Sequence, residues 1–209
     1  MKFKMNVPNA LTMVRIFCTP IMVLMFLLPI PNGIGVFVAL GIYVLACLTD
    51  MLDGKIARKY NLITDFGKFM DQIADKFITT TAMILVLFEG ITYKWLAVIM
   101  LLIVVLRDIL IGGIRMVAAN KNFVIAADIY GKIKSLFLDV ASMVLMLYVG
   151  LRVTCSCEFI KYIQIAGLSL MIVGVVLSVI SCVNYTMNAI KALSKTEENK
   201  EESPVEEDE

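Results

Sequence analysis

The sequence predicts an all-α, polytopic membrane protein: six transmembrane helices preceded by a short interfacial segment. Three observations carry this. The chain of 209 residues is 60% hydrophobic with a mean hydropathy of +0.87. An ordinary soluble domain is roughly 45–50% apolar even with glycine counted, and a soluble globule of this length has no interior able to hide the excess. The apolar residues gather in six runs close to the ~20 residues that cross a bilayer. Lysine and arginine then fall on alternate connections, which orients the runs.

The elements follow in order. Met1–Pro8 alternates Lys2 and Lys4 with Phe3 and Met5, the pattern of a segment lying in the membrane interface, and Pro8 is suited to open a helix. The runs are Ala10–Leu28, Gly33–Met51, Phe69–Phe88, Tyr93–Ala119, Ile129–Leu151 and Phe159–Ile190. The first has no small-residue cleavage site and is followed by five more, so it reads as a span rather than a signal peptide. With the N-terminus in the cytoplasm, that side receives Lys2, Lys4, Lys55, Arg58, Lys59, Lys68, Lys121, Lys132, Lys134, Lys191 and Lys195. The other side receives only Lys94, Arg152 and Lys161. Both termini are therefore expected in the cytoplasm of a multi-pass protein of the cell membrane. Residues 1–193 read as the membrane domain, and 194–209 as an acidic, disordered cytoplasmic tail.

Charge is unevenly divided. Residues 1–190 carry 16 basic and 10 acidic side chains, whereas 191–209 carry three lysines and eight acids. The chain has no histidine, which excludes His-based zinc sites, Ser-His-Asp and Cys-His catalysis and haem ligation by histidine. Cys18, Cys47 and Cys182 lie in apolar runs and read as small core residues. Cys155 and Cys157 share one connection and supply too few ligands for a metal site.

Ionisable residues inside spans are costly and mark functional sites. They concentrate where the second run ends, with Asp50, Asp53, Lys55 and Arg58, and where the third begins, with Asp65, Asp71, Asp75 and Lys76. Asp50 and Asp53 are three apart and Asp71 and Asp75 four apart, so each pair shares a helix face. Joined as a hairpin, the two helices would bring four carboxylates together, and these must be neutralised. An all-oxygen set suits hard divalent cations, and a pair of them suits phosphoryl transfer. Gly54 and Gly67 allow close approach to the backbone, Ala57 keeps that face shallow, and Arg58 offers a forked donor to phosphate.

Written out, the run is Asp50-x-x-Asp53-Gly54-x-x-Ala57-Arg58, eight residues, then Gly67-x-x-x-Asp71-x-x-x-Asp75. It resembles the signature of the CDP-alcohol phosphatidyltransferases at all eight fixed positions. A chance match at a given start is on the order of one in 10¹⁰. The stretch Asn6–Arg15, Arg107-Asp108, Arg115, Ile125-Ala126-Ala127 and Gly131-Lys132-x-Lys134-Ser135 more loosely resemble the subgroup whose acceptor is glycerol 3-phosphate. The arginine–glutamate pair usual in the fourth span stands here as Arg107-Asp108.

The resemblance implies transfer of a phosphatidyl group from CDP-diacylglycerol to glycerol 3-phosphate, with release of CMP. It implies Asp50, Asp53, Asp71 and Asp75 as ligands of two Mg²⁺ or Mn²⁺ ions, Asp75 also as general base, and Gly54, Arg58 and Thr64 as contacts to the CDP donor. Asn9, Ala57 and Gly67 complete the candidate donor site. The acceptor phosphate needs a separate basic pocket, for which Arg107, Arg115, Lys134 and Lys132 are the candidates. Competing roles are an i,i+4 pair of Lys132 with Asp128 and an ion pair of Arg107 with Asp108 or Asp139. Gly112, Gly113 and Gly174 would permit close helix packing or the seam of a homodimer. No nucleic-acid partner is expected. A sister transferase using serine, an inositol phosphate or phosphatidylglycerol is one alternative. A cation transporter is another, disfavoured because the acids sit at one membrane face rather than the midplane.

Overall fold

Each apolar run becomes a helix. The computed structural model describes residues 7–59, 65–89, 93–120, 129–155 and 157–201, with side chains for 10–50, 67, 69–89, 93–116, 118, 131, 133–155 and 157–190. The helices are α1 (Val7–Leu27), α2 (Ile34–Lys59), α3 (Asp65–Phe88), α4 (Lys94–Asn120), α5 (Ile129–Thr154) and α6 (Ile160–Glu201). Among the described residues there is no strand. The expected interfacial stretch lies almost wholly outside the described residues; Val7 and Pro8 are the first residues of α1.

Five of the helices are long and apolar enough to cross a membrane. The exception is α3, whose 24 residues reach about 36 Å but include Asp71, Asp75 and Lys76. The composition break at Ser194 does not end α6, which stays helical to Glu201. Ala, Leu, Lys and Glu are strong helix formers, so the backbone can continue after the apolar run stops.

The chain runs up and down, and its connections define two ends. α1 passes to α2 through Pro29 and a single 3-10 turn, Pro31–Gly33, with Asn32 and Gly33 at φ of 59° and 64°. Gly33 suits this left-handed position, because a side chain there would be strained. At the same end Thr154 Oγ1 donates to the Asn32 carbonyl at 3.2 Å, and Arg152 lies beside the Glu89 carbonyl. Around these connections Phe88, Tyr93, Trp95, Phe159 and Tyr162 are exposed, Trp95 to 85%. Such a girdle of aromatic rings belongs at a membrane interface. The motif residues lie at the opposite end.

Packing is driven by small residues, as expected where lipid removes the hydrophobic incentive to associate. α5 and α6 form the most extensive pair. A Cβ on Gly167 would fall 2.6 Å from the Leu145 side chain, and one on Gly174 would fall 2.8 Å from that of Leu138. Gly174 is thus an intramolecular packing residue. A Cβ on Gly112 or Gly113 would meet no neighbour within 4 Å among the described residues; Gly112 lines the cavity described below.

The two acidic helix ends are held together by a third helix. Among the described residues α2 and α3 touch only sparsely, and α1 packs extensively against both. Asp50 of α2 and Asp71 of α3 therefore meet on α1. The core between the helices is apolar, with Met22, Phe26, Ala39, Tyr43, Ile78, Ala82, Leu138 and Met146 fully or nearly buried.

Candidate active site

Arg15 organises the acidic cluster. It sits in α1, in the middle of an apolar run, and is only 2% exposed. A guanidinium in that position needs anionic partners. Its Nη1 donates to Asp50 Oδ1 at 2.7 Å and to Asp71 Oδ1 at 3.2 Å. The carboxylates of α2 and α3 thus converge on one cationic nitrogen supplied by the helix packed against both. Thr19, one turn on, is buried and caps the Arg15 carbonyl at 3.0 Å.

Beside this cluster a cavity of about 190 Å³ opens between α3, α4 and α5. Asp75 lines it, together with Arg107, Arg115 and Lys134, three of the four residues expected to take the acceptor phosphate. Its α5 wall is formed by Gly131, Lys134, Ser135, Leu138 and Asp139, a single face at helical spacing. Lys134 is 5% exposed, and its Nζ donates to Asp108 Oδ1 at 2.6 Å. Arg107 Nη1 donates to the same oxygen at 2.7 Å, while its Nη2 reaches Ser181 Oγ on α6. The competing ion pair of Arg107 with Asp108 is therefore present, yet Arg107 still lines the cavity. Lys76 Nζ approaches the Asp108 carbonyl at 3.5 Å. Arg115 is exposed, and among the described residues it has no ion-pair partner. Lys76, Arg107, Arg115 and Lys134 thus share the cavity with three carboxylates, Asp75, Asp108 and Asp139, and the cations gathered near Asp108 suit a phosphate.

Asp139 marks the deep wall. Its Oδ1 accepts from Tyr43 Oη of α2 at 3.0 Å and from Thr79 Oγ1 of α3 at 2.9 Å. Thr79 is one turn beyond Asp75 on α3, and both line the same cavity.

Asp53, Gly54, Ala57 and Arg58 are carried on α2, Asn9 on α1 and Lys132 on α5, but their side chains, together with Thr64 and Asp128, lie outside the described residues. Gly67 is half-buried near the start of α3. Tyr43 and Thr79 are residues at the candidate site that the motifs did not indicate, and Arg15, Asp108 and Asp139, named from sequence only as parts of matched stretches or as ion-pair partners of Arg107, take different places here: Arg15 between two acids, Asp108 as a shared anchor and Asp139 held by two hydroxyls. The signal was available: Arg15 is the lone charge of the first apolar run and Asp139 the lone acid of the fifth, and charges inside spans are functional by default.

The donor set suits a hard divalent cation. Oxygens of Asp50 and Asp71 already share one cationic nitrogen, and all the acids on hand are oxygen ligands. Among the described residues no three acids or thiols close around a single point.

A helical membrane bundle with aspartates gathered at one end and a basic cavity beside them suits an enzyme that handles phosphate groups at a membrane face. The chain belongs to the CDP-alcohol phosphatidyltransferase family, whose model matches residues 5–183. Its curated relatives include the CDP-diacylglycerol–glycerol-3-phosphate 3-phosphatidyltransferase of Bacillus subtilis (strain 168), 32% identical over 153 residues that cover 68% of this chain and 77% of that one. The proteins of that name from Rickettsia prowazekii (strain Madrid E) and Escherichia coli (strain K12) are 31% and 32% identical. They cover 88% and 86% of this chain, and the matches span 96% and 92% of their own lengths.

Proposed function

We propose that this protein transfers the phosphatidyl group of CDP-diacylglycerol to glycerol 3-phosphate, giving phosphatidylglycerophosphate and CMP. The observation that carries this reading is the cavity that sets Asp75 beside Arg107, Arg115 and Lys134. It pairs a basic pocket for a small phosphorylated alcohol with a carboxylate for its hydroxyl. At about 190 Å³ the cavity is below the roughly 300–1,000 Å³ of clefts for drug-sized ligands, in keeping with a small acceptor. The shared name of the relatives supports the same acceptor.

In this mechanism Arg107, Arg115 and Lys134 hold the acceptor phosphate, and Asp108 keeps Arg107 and Lys134 converged. The acceptor's terminal hydroxyl attacks the phosphorus that bears diacylglycerol, the bond to the CMP oxygen breaks, and CMP leaves. Asp75 takes the hydroxyl proton; a carboxylate is a weak base, so its effect depends on position. Asp50, Asp53, Asp71 and Asp75 would hold Mg²⁺ or Mn²⁺. When bound, such ions supply charge neutralisation at the pyrophosphate of the donor. Gly54, Arg58 and Thr64 are assigned to the CDP moiety. The acidic end and both termini are placed at the cytosolic face, on the strength of Lys94, Arg152 and Lys161 being the only basic residues on connections at the other end.

The test is CMP release by the purified protein in detergent, with CDP-diacylglycerol, Mg²⁺ or Mn²⁺, and one acceptor at a time. Release with glycerol 3-phosphate and not with serine, inositol phosphate or phosphatidylglycerol, and its loss in EDTA, is expected. Release with another acceptor would retain the transferase and overturn the assignment of the basic pocket.

A further inference from the structure

Among the carboxylates that line the cavity, Asp75, Asp108 and Asp139, Asp139 has no task in this mechanism. One of its carboxylate oxygens is held by two neutral donors, Tyr43 Oη and Thr79 Oγ1. Among the described residues no lysine or arginine pairs with it. Tyr43 is fully buried, so the clamp is rigid and lies two helical turns deeper on α2 than Asp50. An aspartate kept at a membrane-depth cavity wall with no cation in contact is expensive. Two hydroxyls would be an elaborate way to orient it for packing alone.

Its position along α5 sets what it can reach. Asp139 is five residues beyond Lys134, about 7.5 Å of helix rise, and both line the cavity. Across the cavity, Thr79 joins it to α3 one turn past Asp75. A short polyol phosphate seated on Lys134 therefore runs its carbon chain toward two carboxylates, Asp75 and Asp139. One of them meets the reacting hydroxyl and the other is left for a second hydroxyl. A hydroxyl both donates and accepts, so it can satisfy the remaining oxygen of Asp139 in either protonation state.

We propose that Asp139 determines acceptor specificity by receiving the acceptor's second, non-reacting hydroxyl, so that the site selects a vicinal diol phosphate over a mono-alcohol phosphate. Tyr43 and Thr79 are positioning residues that aim it. This rests on the acceptor reading above. It extends that reading from the phosphate end of the acceptor to its hydroxyl end.

The experiment compares kcat/KM for glycerol 3-phosphate and for 3-hydroxypropyl phosphate, which has the same phosphate and the same reacting hydroxyl but lacks the middle one. The wild-type protein is expected to favour glycerol 3-phosphate by about 10- to 100-fold, because a site built to bond a hydroxyl rejects the analogue without it. In Asp139→Ala that preference should fall to within about threefold, with the deoxy acceptor little affected. Tyr43→Phe and Thr79→Val should each reduce the preference in part while leaving Asp139 in place. Equal losses on both acceptors in Asp139→Ala would mean a structural role and overturn the proposal. Should Asp139→Ala fail to fold, an unchanged preference in both positioning variants, or no preference in the wild type, overturns it as well. If the wild type releases no CMP with glycerol 3-phosphate but does so with another acceptor, the parent reading fails instead.

Discussion

Asp75 and Arg15 show how one ionisable side chain acquires its role from what surrounds it. Asp75 lines the cavity that also holds the basic residues, and the proposed mechanism gives it the reacting hydroxyl of the acceptor. Asp75→Asn preserves shape and hydrogen bonding but cannot take a proton. Turnover should fall by at least about 100-fold while the helical circular dichroism stays unchanged; near-normal CMP release from that variant would remove Asp75 as the base. Lys134 and Arg107 share one carboxylate oxygen of Asp108. Lys134→Ala should therefore raise KM for the acceptor more than KM for CDP-diacylglycerol, as steady-state kinetics with each substrate varied will show. Arg15 is the buried cation between Asp50 and Asp71. Without it the two acids repel, so Arg15→Ala should melt lower than wild type in EDTA. Mg²⁺ should recover more of that loss in the variant than it adds to the wild type, measured as Tm in detergent. Equal Mg²⁺ responses in the two proteins would argue against a cation site at these acids.

Among elements, the α5–α6 seam is the most demanding contact. Gly174 and Gly167 lie two turns apart on α6, and each faces a leucine of α5 at a distance no side chain can occupy. The pair also shapes the candidate site: α5 supplies Lys134 and Asp139 to the cavity, and Ser181 of α6 meets Arg107. Gly174→Val would push against Leu138, one residue before Asp139. Overpacking of this kind costs about 1–3 kcal/mol, so a lower Tm is expected, with a loss of acceptor affinity because the α5 wall shifts. Gly113→Ala, at a position with no neighbour within 4 Å, is the matched control and should leave both unchanged.

For the whole molecule, the two ends differ in chemistry. One carries the aspartates and the basic cavity; the other carries exposed aromatic rings and the exposed pair Cys155 and Cys157. Cys18, Cys47 and Cys182 are half-buried within the helices. A membrane-impermeant maleimide applied to intact cells should therefore label the wild-type protein and not the Cys155→Ser, Cys157→Ser double variant. Labelling that appears only after the membrane is opened would invert the orientation and place the acidic end outside. The arrangement suits the proposed chemistry, since a lipid donor and a water-soluble acceptor can meet only near a membrane face.

Much of this protein was legible from its residues because the relevant physics is local. Length and hydropathy dictate helices in a bilayer whatever their partners. The spacing Asp50–Asp53 and Asp71–Asp75 places each pair on one face through helix geometry alone, and the motif that these residues belong to extends over positions close together in the chain. The basic residues Arg107, Arg115 and Lys134 were legible too, by their type and by their end of the spans. What only the tertiary structure decided is which helices lie between which. Among the described residues adjacent α2 and α3 barely touch, and α1 packs against both with Arg15 as the shared counter-charge. Gly174 turns inward against α5, while Gly112 opens onto the cavity and Gly113 meets no neighbour among the described residues. Asp139, 64 residues from Asp75 in the chain, joins the same cavity through Tyr43 and Thr79. Helix periodicity gives the face a residue occupies but not the helix that the face will meet, and close packing at a few small residues makes that choice.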